Sequence, residues 1–161
     1  MRIGLILYGS LQTCTGGYIY DNYLVGCLQE SGHEVGLISL KSSNLLLKAG
    51  HNLSPGLIRS IRNFRPHVLL QDALCLLSLS GINRLLSRIY PVPKLALVHQ
   101  LIFLRQETKT RQLYWQGMEK LFFKSVEGLV CNSNTTKQGI RERLKINKPT
   151  LVANPGKDRL G

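Results

Sequence analysis

A chain of 161 residues, 43% of them hydrophobic, is the length of one ordinary domain and too apolar to be disordered. Its 21 basic side chains against 9 acidic ones give a net charge of +12. That charge points to anionic partners (lipid head groups, phosphorylated substrates, nucleic acid) or to solvated helix faces. The four cysteines, Cys14, Cys27, Cys75 and Cys131, form no CxxC pair, which argues against a zinc or redox motif and for a reducing, cytoplasmic setting. Met1 to Tyr8 is too short for a secretory signal. The apolar stretch Val68 to Ile82 is interrupted by Gln71-Asp72 and falls short of the ~20 residues that a bilayer span needs.

Arg2 to Tyr8 (RIGLILY) is a continuous apolar run and predicts a buried parallel strand. A loop follows to Gly17. Tyr18 to Ser31 then reads as a helix with Ile19, Tyr23, Leu24, Cys27 and Leu28 on its apolar stripe, stopped by Gly32. Glu34 to Leu40 is the second strand, completing a βαβ unit, and Lys41 to Ser54 reads as a surface loop. Leu57 to Phe64 is a helix exposing Arg59, Arg62 and Arg65, closed by Pro66. Strands are expected at His67–Gln71, Lys94–His99, Gly128–Cys131 and Thr150–Ala153, with helices at Cys75–Ile89, Lys109–Ser125 and Ser133–Leu144. This alternation predicts an α/β fold: a doubly wound, Rossmann-like, mostly parallel sheet in three layers, α/β/α.

Parallel strands send their following loops to one edge of the sheet, where ligands bind. Gly16 and Gly17, at the end of the Thr13-Cys14-Thr15 loop, would let a phosphate reach the backbone and the positive end of the first helix. Asp72 could cap the next helix or bind hydroxyls. His99, at the end of an apolar strand, is either a structural histidine or a donor to a substrate oxygen. Asn132 and Ser133 form a helix cap that also faces the ligand edge, and Asn154 with Gly156 makes the last such loop. No GxxxxGK[ST] or GxGxxG occurs, and Lys41-Ser42 stands where a carboxylate would hold a dinucleotide's ribose, so NAD binding is disfavoured. His33, His51 and His67 share no ligand spacing with one another or with His99, so no metal site is expected.

Four segments together resemble the N-terminal half of GT-B fold glycosyltransferases, in particular the retaining family 4 ("group 1") enzymes. They are Thr15-Gly16-Gly17 with the helix end Leu28 to Val35 (LQESGHEV), the strand end Val98-His99, the segment Ser125 to Lys137 (SVEGLVCNSNTTK), and Leu151 to Asp158 (LVANPGKD). The last has Pro155-Gly156 where the family has Asn-Gly. The resemblance implies sugar transfer from a nucleotide-sugar to an acceptor, lipid-linked or anionic in some members, with retained configuration. In it residues 1–161 would be the acceptor-binding domain. The C-terminal nucleotide-sugar domain, with its Glu-x7-Glu motif, would be absent, leaving this chain inactive alone. The nucleotide-sugar is then a substrate, and neither cofactor nor metal is expected. Backbone at Gly16 and Gly17 would approach the donor diphosphate, and His99 would sit by the reacting sugar. Arg59, Arg62 and Arg65 would make peripheral contact with the inner membrane face. Two other readings fit the same residues: a non-catalytic split-gene subunit, and a basic Rossmann-like module that binds a membrane or another polyanion. Nucleic acid is disfavoured, because no aromatic and basic residues interleave as base-stacking sites require.

Overall fold

The computed structural model describes residues 1–11, 16–41, 45–51 and 54–155. In chain order these form β1 (Arg2–Tyr8), α1 (Gly16–Glu30), β2 (Glu34–Leu40), α2 (Leu45–Gly50), α3 (Pro55–Phe64) and β3 (Val68–Asp72). A one-turn 3-10 segment (Ala73–Cys75) leads into α4 (Leu76–Ile89), followed by β4 (Lys94–Val98) and a second 3-10 segment (Ile102–Arg105). The chain continues through α5 (Lys109–Lys124), β5 (Gly128–Cys131), α6 (Asn134–Arg143) and β6 (Thr150–Val152). Gly156 and the Thr13-Cys14-Thr15 loop lie outside the described residues.

The fold is α/β, with a six-stranded, wholly parallel sheet in the order β2-β1-β3-β4-β5-β6. Helices lie on both sides, giving the expected Rossmann-like three layers. The order also distributes the helices. Strand-to-strand crossovers are right-handed, so β1 to β2 runs one way across the sheet and every later step runs the other. The packing agrees: Val25, Leu24 and Leu28 of α1 cover Ile3, Leu5, Leu7 and Leu70. The larger core holds Leu57 and Ile61 of α3, Leu79 and Ile82 of α4, Phe122 and Phe123 of α5, and Ile140 of α6. Among the described residues, α1 therefore shields one face, and α3, α4, α5 and α6 shield the other.

Local chemistry sets the element ends. At the end of α1, Gly32 takes φ +79 and donates to Gln29 O, while the His33 amide donates to Leu28 O at 3.0 Å, a left-handed helix stop that favours glycine. Helix α3 starts before its apolar periodicity, because Ser54 Oγ accepts the Leu57 N–H at 3.3 Å and Pro55 fits the first turn. It ends on Arg65, which sits at φ 51 as the C-cap. Arg65 thus leaves the helix instead of extending the Arg59 and Arg62 face. A side chain at Gly36 would come within 2.6 Å of the Phe64 ring, so glycine is what lets α3 settle on β2.

Two sequence expectations change. Residues Lys41–Ser54 contain a helix, α2, and not only a loop. On α1 the inward residues are Asp21 and Val25, flanked by Leu24 and Leu28, whereas Ile19 and Tyr23 are 44% exposed and Cys27 is exposed. The helix is rotated so that a carboxylate enters the interior.

Glu119 of α5 is a second buried carboxylate. Its oxygens accept the Ile102 and Phe103 amides at 2.8 and 3.1 Å, which holds the second 3-10 segment against the helix. Burial pushes its pKa up although both amides stabilise the charge. Glu119→Ala should strip two buried N–H groups of their partner and lower stability by about 2–4 kcal/mol. Denaturant unfolding would measure this, and a loss under about 1 kcal/mol would show that water replaces the carboxylate. Among the described residues, no helix is long and apolar enough to cross a membrane.

Candidate functional site

The switch in winding direction falls between β1 and β3, and in open α/β sheets ligands bind beyond the strand ends at such a point. Helix α1 starts there and brings three residues to the rim. Asp21 is fully buried, and its Oδ1 lies 2.8 Å from His99 Nε2. Tyr20 meets the His99 ring edge-on, with centroids 5.2 Å apart, and its hydroxyl donates to Ala153 O at 2.8 Å. Gly17 packs under the same imidazole, where an added Cβ would stand 3.4 Å from His99 Cδ2. Among the described residues, an added Cβ on Gly16 would meet nothing within 4 Å, so none of them covers that glycine at the start of α1.

His99 follows β4 directly and keeps 11% of its side chain exposed. Burial disfavours its charged form, but the Asp21 carboxylate in contact and the Asp72 carboxylate nearby outweigh this and raise the pKa. Among the described residues, Asp21 Oδ2 and His99 Nδ1 have no hydrogen-bond partner. The ring thus holds a buried nitrogen, Nδ1, that no described residue engages. Asp72, at the end of β3 and 1% exposed, caps the first 3-10 segment by accepting the Leu74 N–H at 2.9 Å. Burial pushes its pKa up to about 6. The Leu74 amide and His99 hold it down, and the Asp21 charge adds to the rise.

The residues singled out from sequence divide into three groups. Gly16, Gly17, His99 and Asp72 gather at the β1/β3 switch. Asn154 is exposed and follows Ala153, so the chain after β6 joins this rim through Tyr20. Asn132 and Ser133 lie on the same edge, but their side chains serve α6. Ser133 Oγ accepts the Thr136 N–H at 3.1 Å, and Asn132 Oδ1 accepts the Thr136 hydroxyl at 3.3 Å. The arginines are elsewhere. Arg59 and Arg62 are exposed on α3, while Arg65 is beside the start of β1, where its carbonyl accepts from Arg2 Nε at 2.9 Å. This is the edge opposite the site.

Asp21 and Tyr20 did not stand out in the sequence. The one available signal was an acid placed at helical spacing among the apolar residues of α1.

Beside this cluster a cleft of about 650 Å³ opens between the ends of β1 and β4 and α2, α4 and α5. Its walls include Tyr8, Tyr18, Lys48, Arg105, Gln106 and Trp115. The Tyr18 hydroxyl donates to Tyr8 O at 2.7 Å, and burial raises its pKa to about 12. Two cysteines lie nearby in the core, where burial pushes the Cys131 thiol up to about 11 and holds the Cys75 thiol well above its ordinary value. Neither is an activated nucleophile. Among the described residues, no group of three His, Cys, Asp or Glu side chains could hold a metal ion. No family model and no curated protein matches the chain.

Proposed function

We propose that the chain is the acceptor-side domain of a retaining glycosyltransferase, acting with a nucleotide-sugar domain to move a sugar onto an acceptor. One observation carries this reading: Gly17, Tyr20, His99 and the residue preceding Asn154 meet on a single rim. Of these, Gly17, His99 and Asn154 are far apart in the chain and were expected at one rim from the sequence, and a cleft lies alongside. The Asp21 carboxylate raises the pKa of His99, whose buried Nδ1 has no partner among the described residues; protonated, it is a donor suited to an oxygen of a sugar or phosphate. The open side of Gly16 suits backbone amides to a diphosphate at the positive end of α1. Gln100, Lys48 and Arg105 stand beside these groups in the cleft and would orient the acceptor.

Gly17→Val separates the two glycines. Its side chain would collide with the His99 ring, so activity should fall by about a hundredfold while the melting temperature drops by only a few degrees. The matching Gly16→Ala change should fold normally. Wild-type turnover in Gly17→Val would show that His99 need not hold its position.

The direct experiment expresses the protein from its complete gene and incubates it with UDP- and GDP-sugars and a panel of acceptors. Mass spectrometry of the products should show one hexose added to one acceptor class. Absence of both transfer and nucleotide-sugar binding would remove the assignment.

A further inference from the structure

The cleft beside His99 has a charge character of its own. Among the described residues, Lys48 and Arg105 stand on its walls, and neither Asp nor Glu does. Lys48 Nζ sits 4.9 Å from the centroid of the Tyr8 ring, and among the described residues no carboxylate pairs with it. Arg105 uses Nη1 on Gln100 Oε1 at 3.1 Å and keeps its other donors. The wall below is fixed: Tyr8 and Ser78 share a hydrogen bond of 2.7 Å, and Ser78 Oγ donates to Lys48 O at 2.8 Å. This anchors the backbone that carries the Lys48 ammonium. Trp115 adds a half-buried indole, braced edge-on by Tyr114 at 5.5 Å.

Two cations in a concavity, without a counter-ion among the described residues, attract an anion, and a planar indole suits the C–H face of a sugar ring. A volume of about 650 Å³ is that of a small-molecule site, enough for a ring and its charged substituent. Building on the transferase reading, we propose that the acceptor is anionic: a sugar or polyol carrying a phosphate, with the phosphate at Lys48 and Arg105 and the ring against Trp115. Such a phosphate belongs either to a soluble sugar phosphate or to a lipid head group, and the test separates them.

Trp115 is the single tryptophan of the chain, so its fluorescence reports on this cleft alone. Glucose 6-phosphate, glucose, phosphatidylinositol vesicles and plain phosphatidylcholine vesicles would each be titrated. Glucose 6-phosphate should shift the emission saturably, and glucose should fail at ten times that concentration. Lys48→Met and Arg105→Met should each weaken binding by about tenfold, since each removes a charge-assisted contact. Arg141→Gln, an exposed cation on α6, should leave binding unchanged. Saturation by phosphatidylinositol vesicles but not by the free sugar phosphate supports the same phosphate chemistry from a lipid. Equal binding of glucose, equal loss in Arg141→Gln, or no response to either phosphate probe overturns the proposal. Because the readout is binding, failed sugar transfer leaves it standing. Transfer onto a neutral acceptor without phosphate binding would remove it and keep the transferase.

Discussion

Asp21→Asn is expected to lower the His99 pKa below the usual histidine range and to cut activity by about a hundredfold or more, the scale of a lost proton-bearing group. Burial alone pushes His99 toward the neutral ring, and the Asp21 contact, helped by Asp72, reverses it. Asn keeps the shape of the carboxylate and removes its charge, so burial then prevails. The stability effect has a definite sign. A histidine whose folded pKa is raised contributes stability that is complete below its unfolded pKa and is lost as pH rises through the folded one. Asp21→Asn removes that contribution, so it should destabilise more at pH 5.5 than at pH 9, by on the order of 2 kcal/mol. Titration of the His99 ring by NMR and unfolding at the two pH values would check both parts. An unmoved His99 pKa would show that Asp21 is not its counter-ion.

Asp72→Asn is expected to act the other way and stabilise the protein at pH 8. Burial lifts the Asp72 pKa to about 6 from an ordinary 3.8, so the native state binds this proton more tightly than the unfolded chain does. Stability therefore falls as pH rises from about 4 through about 6, and stays reduced above that. The difference corresponds to about 1–3 kcal/mol, allowing for coupling to His99 and Asp21. Asn can still accept the Leu74 N–H without carrying charge into the core. Wild type and variant should be equally stable near pH 4 and differ at pH 8. A less stable variant at pH 8 would mean that the fold needs the charge. If the variant gains stability but loses turnover, Asp72 serves the site at a cost to the fold, the usual trade at functional positions.

These two carboxylates also show what could be read from the sequence. Asp72 was visible because it ends an apolar run, and strand ends in a parallel sheet mark the ligand edge. His99 was visible for the same reason. The strands themselves were legible, since RIGLILY and GLVC have no polar face and must be buried on both sides. Asp21 was hidden because its meaning depends on a partner brought near only by the sheet. On a helix an acid among apolar residues reads as a break in the stripe, and the stripe was accordingly assigned to Ile19, Tyr23 and Cys27 on the outer side. Helix α2 was missed because Leu45–Gly50 is too short for a periodicity to register. The place of Arg65 was missed because a left-handed cap usually calls for glycine or asparagine.

The solitary position of α1 has a consequence for how the molecule comes apart. Among the described residues, α3, α4, α5 and α6 share one core, while α1 has a separate and smaller one, to which Val25 is its buried apolar contribution. Such an element can detach while the remainder stays folded, as an independent cooperative unit. It is further tied by the Tyr18 and Tyr20 hydroxyls, on Tyr8 O and Ala153 O, and by the Asp21–His99 pair, whose ionic part is lost as the imidazole deprotonates. A rise in pH through the raised His99 pKa therefore weakens the attachment of α1. The helix would carry Gly16, Gly17 and Tyr20 away with it, dismantling the rim before any global denaturation.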